Sequence, residues 1–363
     1  MSTVYLHLGM PKTGTTALQR FFAQNEKALN ERGFTYPIMP FSFETISDNR
    51  NGHFLVKWRK KKKFPEWEQG FSIVAEAAKK YENILLSDEA LWSVQRHKGF
   101  WKRVKRGFEK IGVDLKIIVY LRRQDEQVES HWNQKVKEKK TCMTETFEEY
   151  IDSGMYEYMP FHYDEGTDRV AQRVGKENLI VRVYEKQQFV GGSIFADFLG
   201  AIGLGLDGDF KLPQYTANVR LPGNAVEIKR MVNGLYPEDV PDFYYDVITE
   251  AYGIDRLTSV PSKKTSMFSA RQRAEFMKQY EEGNAYVARE YLGRKDGVLF
   301  YGDYNEVQEW KIDDREMLLD VIRILCSADI YLYRRQEKII NKLKEINNSL
   351  PGRVYRKLTG SSL

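Results

Sequence analysis

Gly9-Met10-Pro11-Lys12-Thr13-Gly14-Thr15-Thr16 stands between a short apolar run, Val4-Tyr5-Leu6-His7-Leu8, and a stretch of helical spacing that begins at Thr15. The run has the length and composition of a β-strand. From Thr15 to Arg32, the residues Leu18, Phe21, Phe22 and Leu29 recur near helical spacing. Strand, glycine-bounded loop and helix in that order make a cradle for an anion. Gly9 and Gly14 let the backbone wrap closely, and the new helix offers unpaired N–H groups and the positive end of its dipole. A bare strand-to-helix turn would need neither a lysine nor three threonines around its glycines.

The nucleotide loop of kinases and ATPases reads G-x-x-x-x-G-K-[ST]. Here the glycine spacing is kept, but Thr15 stands where that lysine belongs and a lysine comes earlier, at Lys12. A magnesium triphosphate needs the later lysine and a metal-binding carboxylate. An anion is therefore expected in the loop, and a P-loop small-molecule kinase is the alternative rather than the first reading.

Further strand-like runs follow at Asn83–Leu86, Leu115–Leu121 and Leu179–Tyr184, with helical patterns between them. This alternation predicts an α/β fold: a P-loop nucleotide-kinase-like parallel sheet flanked by helices. Leu115–Leu121 is apolar enough for a central strand. Residues 33 to 66 look irregular, and a polar, glycine-rich region, Gly203–Gly223, precedes a largely helical C-terminal third. Met317–Asn348 reads as one long amphipathic helix, broken by Pro351-Gly352. The expected organisation is a core over 1–210 and a helical part of the same domain over 211–363.

A second anion site is suggested where the strand ending at Leu121 meets Arg122-Arg123 and then a helix carrying Ser130. Ligands of open α/β sheets gather beyond the carboxyl ends of strands. A strand-end arginine fork and a helix-borne serine can grip one phosphate, although paired arginines at a helix start also serve simply as a solvated pair.

Taken together, Pro11-Lys12-Thr13-Gly14-Thr15-Thr16 after a first strand and Tyr120-x-Arg122-(x)7-Ser130 after a central strand resemble the sulfotransferases that use 3′-phosphoadenosine 5′-phosphosulfate (PAPS). Tyr184-Glu185 and Phe198-Leu199-Gly200 resemble a later stretch of the same family. The likeness spans roughly residues 3 to 205 and is nearest to bacterial members acting on cell-surface glycans. It implies that Pro11, Lys12, Thr13, Gly14, Thr15 and Thr16 hold the 5′-phosphosulfate, and that Arg122 and Ser130 hold the 3′-phosphate. Thr13 replaces the usual serine. The family's C-terminal Arg-Lys-Gly loop has only a loose echo in Arg294-Lys295-Asp296-Gly297, which receives no role.

Sulfuryl transfer is an in-line displacement governed by positioning and charge stabilisation, and it does not require a metal. Lys12 would neutralise the leaving phosphate oxygen. The resemblance places the general base just after the strand ending at Leu86-Ser87, where Asp88 and Glu89 stand. Glu89 is favoured by offset, with Asp88 as the runner-up. Either acid could instead cap a helix starting near Ala90. His53, in Asn51-Gly52-His53, is a further base or substrate-contact candidate if its loop folds over the cleft. His7 reads as a core histidine.

At 363 residues and 42% hydrophobic, the chain has material for a sizeable core. The net charge of +5 favours anionic ligands only where the charges cluster. The strongest run is Lys57-Trp58-Arg59-Lys60-Lys61-Lys62-Lys63, and the tail Arg353–Lys357 is also basic. Either is a solvated surface or a peripheral membrane contact. No binding motif accompanies them, so nucleic acid is not expected. Cys142, Cys326 and five scattered histidines give no metal-ligand spacing. No secretory signal pattern and no transmembrane-length run is found, so the expected location is cytoplasmic, with peripheral contact at the inner membrane face. The expected partner is a hydroxyl-bearing glycan or glycolipid. A non-catalytic nucleotide- or glycan-binding protein on the same fold is the rival from another class. Asn218 and Arg220 precede the C-terminal helices and receive no role.

Overall fold

The structure, a computed structural model, describes residues 1–41, 49–58, 65–138, 141–213, 221–235, 241–252, 265–302 and 307–349. Residues 59–63 of the basic run, Asn218, Arg220 and the tail Arg353–Lys357 lie outside these.

The chain forms β1 (Thr3–His7), α1 (Thr15–Gln24), α2 (Glu26–Asn30), β2 (Phe34–Thr35), α3 (Pro65–Ala78), β3 (Asn83–Ser87), α4 (Leu91–Val94), α5 (Phe100–Lys110), β4 (Asp114–Leu121) and α6 (Gln124–Lys137). There follow α7 (Phe147–Asp152), α8 (Tyr163–Val174), β5 (Leu179–Val183), α9 (Ile194–Ala201), α10 (Gly223–Leu235), α11 (Pro241–Ala251), α12 (Ala270–Lys278), α13 (Glu281–Leu292) and α14 (Asp314–Asn348). Five strands make one sheet in the order β2-β3-β1-β4-β5, and every pairing is parallel. The four expected apolar runs are β1, β3, β4 and β5. β2 is a two-residue edge strand, too short to leave a pattern.

A fully parallel sheet needs both faces covered. Leu18, Phe21 and Phe22 of α1 and Phe198 and Leu199 of α9 bury one face together with Leu85, Ile118 and Tyr120. Helices α3, α5 and α8 lie against β3, β4 and β5. Strand order reverses around β1, which pairs with β3 on one side and β4 on the other. The crevice at the carboxyl end of β1 is thus the topological switch point.

The helix expected over Thr15–Arg32 divides at Asn25. The Asn25 side chain donates to Phe21 O (2.8 Å) and to Lys211 O (2.9 Å), and accepts from Lys211 N (2.7 Å). A tertiary anchor of this kind, to a residue far along the chain, overrides helical propensity.

The chain divides into two compact units, and the boundary differs from the expected one at 210/211. One unit holds the sheet and comprises Met1–Trp132, Phe147–Asn218 and Phe268–Gln308. The other comprises Asn133–Thr146, Val219–Met267 and Glu309–Leu363. Within the sheet unit, α12 and α13 are tied back by polar pairs. Gln124 and Asn284 exchange two amide bonds (2.8 and 3.1 Å), and Arg273 lies 3.2 Å from Asp125. Within the second unit, Asn233 donates to Val136 O and Met143 O (2.9 Å each), and Asp320 of α14 accepts from Asn224 of α10 (2.8 Å).

Candidate active site at the carboxyl ends of β1, β3 and β4

The loop after β1 is built by backbone bonds that run on past the strand. Leu8 N donates to Ile118 O (2.9 Å), Met10 N to Tyr120 O (3.3 Å), and Tyr120 N to Gly9 O (2.9 Å). Gly9 has φ 89°, and a Cβ there would lie 2.9 Å from Glu89 Cα. Lys12, not a glycine, also takes a left-handed conformation, φ 67°. The Thr13 and Thr15 hydroxyls both donate to Met10 O, at 2.6 and 3.1 Å. The two hydroxyls therefore close the loop upon itself, a use that competes with the anion-binding role expected of them. Thr16 is half-buried in the first turn of α1. No side chain caps α1 at Gly14, so the dipole end of a ten-residue helix faces the loop.

The second motif is joined to the first. Arg122 Nη1 donates to Lys12 O at 3.0 Å, and Gln127 Nε2 donates to Pro11 O at 2.7 Å. A side chain from the link between β4 and α6 and one from the first turn of α6 thus clasp consecutive loop carbonyls. The Arg122 guanidinium also lies 5.7 Å from the centre of the Tyr184 ring and 3.3 Å from Glu126 Oε2. An incoming phosphate would share Arg122 with that carboxylate, a competitor the sequence reading did not include. Ser130 is half-buried one turn beyond Glu126 on α6.

At the end of β3, adjacent acids are held very differently. Asp88 is fully buried. Its carboxylate accepts from Arg50 Nε and Nη2 (2.9 and 2.8 Å), from Ala90 N (2.8 Å) and from His53 Nδ1 (2.8 Å). Burial works to raise the Asp88 carboxyl, but the His53 hydrogen bond and the Arg50 charge outweigh it and hold it below the ordinary range. Such a saturated, ionised carboxylate is a poor proton acceptor. The structure gives Asp88 the work of fixing Arg50, His53 and the turn that leads into α4, while no side chain caps that helix.

Glu89 keeps 27% of its side chain exposed and lies 3.3 Å from Arg50 Nη1. Burial raises its carboxyl above the ordinary value, with the Asp88 charge adding to the shift, while Arg50, the nearby Thr15 hydroxyl and Lys12 oppose it. Glu89 is therefore a carboxylate beside the loop, within the electrostatic reach of Lys12.

The segment carrying His53 does fold onto the end of β3. Asn51 accepts from Ser87 N (2.8 Å) and donates to Leu85 O (3.0 Å), and a Cβ on Gly52 would lie 3.1 Å from the Ser87 carbonyl carbon. His7 is a core residue, hydrogen-bonded through Nδ1 to Ser87 Oγ (2.9 Å). Burial pushes its pKa down to about 3, so it stays neutral.

Arg50, Gln127 and Glu126 are the site residues the sequence reading missed. Arg50 adjoins Asn51-Gly52-His53, but only its partner 38 residues away reveals its purpose. Arg294, in the loose echo of the C-terminal loop, donates to Val298 O (3.0 Å), Leu299 O (2.8 Å) and Gln188 Oε1 (2.5 Å), and so shapes its own loop.

Among the described residues no cluster of three His, Cys, Asp or Glu side chains is arranged to hold a metal ion, and no helix is long and apolar enough to cross a membrane.

No family model matches the chain. Over 185 residues it is 29% identical to an uncharacterized protein of Archaeoglobus fulgidus, a match that covers 50% of this chain and 47% of that one. The chain thus spans about half the length of this curated relative. Among solved structures, a sulfotransferase from Alicyclobacillus acidocaldarius is similar over 66% of this chain and 97% of its own, at 13% identity and a TM-score of 0.38.

Proposed function

We propose that the chain is a sulfotransferase that moves a sulfuryl group from PAPS to a hydroxyl of a carbohydrate or lipid-linked glycan. The observation that carries this reading is the clasp of Arg122 and Gln127 on the carbonyls of Lys12 and Pro11. It joins the two segments to which this reading gives the anions, and Glu89 lies near enough for Lys12 to act on its carboxyl.

In this reading Lys12 and the first N–H groups of α1 hold the 5′-phosphosulfate, while Arg122 and Ser130 hold the 3′-phosphate. Glu89 takes the acceptor proton as the acceptor oxygen bonds to sulfur and the bond from sulfur to the phosphate oxygen breaks. A carboxyl lifted by burial is better matched to that work at neutral pH than an ordinary one. Lys12 meets the charge that gathers on the departing phosphate oxygen. Asp88 is a positioning residue that acts through Arg50 and His53, and His53 is the second candidate for the base. The products are a sulfate ester and 3′,5′-adenosine bisphosphate.

Calorimetry tests the donor half of this reading. Without magnesium, 3′,5′-adenosine bisphosphate should bind about tenfold to a hundredfold tighter than 5′-AMP, the value of one charge-assisted phosphate contact. Equal affinities would remove the 3′-phosphate site, and tighter binding of magnesium-ATP would turn the reading toward a kinase. An acceptor screen with labelled donor tests the transfer itself.

A further inference from the structure

From Leu318 an apolar residue recurs at every seventh position of α14: Leu318, Leu325, Leu332, Ile339 and Ile346. All five are exposed, by 43% to 60%. Ile322 and Leu343 fill two of the four intermediate positions, at 48% and 44% exposure, and Asp329 and Gln336 fill the other two. The nine positions are spaced alternately four and three residues apart, the a/d spacing of a coiled coil, and seven of them are apolar.

This seam is not the face that α14 uses within its own unit. That face carries Ile324, which is 5% exposed, Asp320, bonded to Asn224, and Tyr331, whose hydroxyl donates to Asp246 (3.1 Å). These residues lie on the opposite side of the helix from the seam. From 332 to 346 every side chain is exposed. A helix end of this length is marginal in water without packing on its apolar face.

We propose that α14 pairs with α14 of a second copy of this chain through the seam of Leu318, Leu325, Leu332, Ile339 and Ile346. The period identifies the kind of occupant. A strict seven-residue repeat drifts by about 20° per heptad on a straight helix. Laid on a flat bilayer, the seam would wind away from it by roughly 80° over four heptads, whereas against a supercoiling helix it stays in contact. The partner is thus a helix of the same period, and a two-fold pairing of identical seams meets that condition. The size also suits: from Leu318 to Ile346 the seam is about 42 Å long, so a strip about 10–12 Å wide covers roughly 420–500 Å² per chain, and a pair roughly 840–1,000 Å², reaching the lower bound of a specific interface. Asp329 and Gln336 are polar a-type residues, which fix register at some cost in stability.

Sedimentation of the full chain at micromolar concentration tests the pairing. The expected mass is that of two chains. Leu332→Glu with Ile339→Glu changes only side chains already exposed in the single chain. It should weaken association by a hundredfold or more, about 2.7 kcal/mol, and give single chains. Leu332→Ala should weaken association in the same direction without adding charge. Lys338→Glu with Asn341→Glu, off the seam, should leave two chains. Circular dichroism of each variant reports whether the rest of the chain stays folded. Wild-type protein sedimenting as a single chain would overturn the pairing, and its flotation with anionic vesicles would then give the helix to a lipid surface. A seam variant that still sediments as two chains would overturn it equally.

Discussion

Asp88 and Glu89 are adjacent, yet their surroundings push their carboxyls in opposite directions, and pH separates the two. The Asp88 carboxyl is held below its unfolded value of about 3.9. The stability it contributes is present above that value and is lost as pH falls through the lower folded one. The Glu89 carboxyl is raised, so its contribution is present below the unfolded value and lost as pH rises through the folded one. At neutral pH Glu89 therefore costs stability that function has to justify. Asp88→Asn should lower stability by about 1.5–3 kcal/mol, since it removes the buried partner of a partly buried Arg50 and leaves it only Glu89, 3.3 Å away, as a counter-charge. Glu89→Gln should leave the melting temperature unchanged or raised at pH 7, while turnover falls by roughly 10²–10⁴. Thermal melts and steady-state rates on the two variants check both statements. Full turnover in Glu89→Gln would move the base to His53. The sequence named both acids and His53, because acids after a strand end are visible locally. It could not assign their tasks, because those depend on Arg50, which reaches Asp88 only in three dimensions.

The elements around the site show the same division between local and distant causes. β1, β3, β4 and β5 are legible because a strand buried on both faces has to be apolar along its whole length. The start of α1 is legible because glycines bound the loop before it. The break at Asn25 is hidden, since its cause is the Lys211 backbone. The two loop glycines also differ in a way that no spacing reveals. Both have positive φ, a conformation that costs an L-residue about 1–2 kcal/mol. At Gly14 a Cβ would meet the tip of Ile194, Cδ1 at 2.8 Å, whereas at Gly9 it would meet the Glu89 backbone at 2.9 Å. A side-chain tip can swing aside, but the backbone at the end of β3 cannot move without shifting Glu89. Gly9→Ala should therefore lose more stability and more nucleotide affinity than Gly14→Ala. Ile194→Ala should recover part of the loss in Gly14→Ala and none in Gly9→Ala. Equal losses in both, or rescue of both by Ile194→Ala, would contradict this account of the loop.

At the scale of the molecule, the sequence drew a core over 1–210, but the structure gives the sheet unit a distant third segment, Phe268–Gln308. In sequence that segment is helical like its neighbours. Its allegiance is carried by polar pairs across more than a hundred residues, which leave no periodic trace. Gln124 pairs with Asn284, Asp125 with Arg273, and Glu185 accepts from Tyr301 N (2.9 Å) and Gly302 N (3.1 Å). Asp125 is buried, and burial raises its carboxyl even with Arg123 and Arg273 opposing the shift. A chain ending at residue 210 would lose every one of these partners at once. Each buried polar group left unpaired costs about 1–3 kcal/mol, against a usual total stability of about 5–15 kcal/mol. The aromatic ring of Tyr280, packed on Phe161 at 6.0 Å, would be lost with them. The fragment 1–210 should accordingly show no cooperative calorimetric transition, although it contains all five strands and every residue assigned to the donor and the base. If it melts sharply and still binds 3′,5′-adenosine bisphosphate like the full chain, Phe268–Gln308 is an appendage rather than part of the fold that positions Arg122 against the loop.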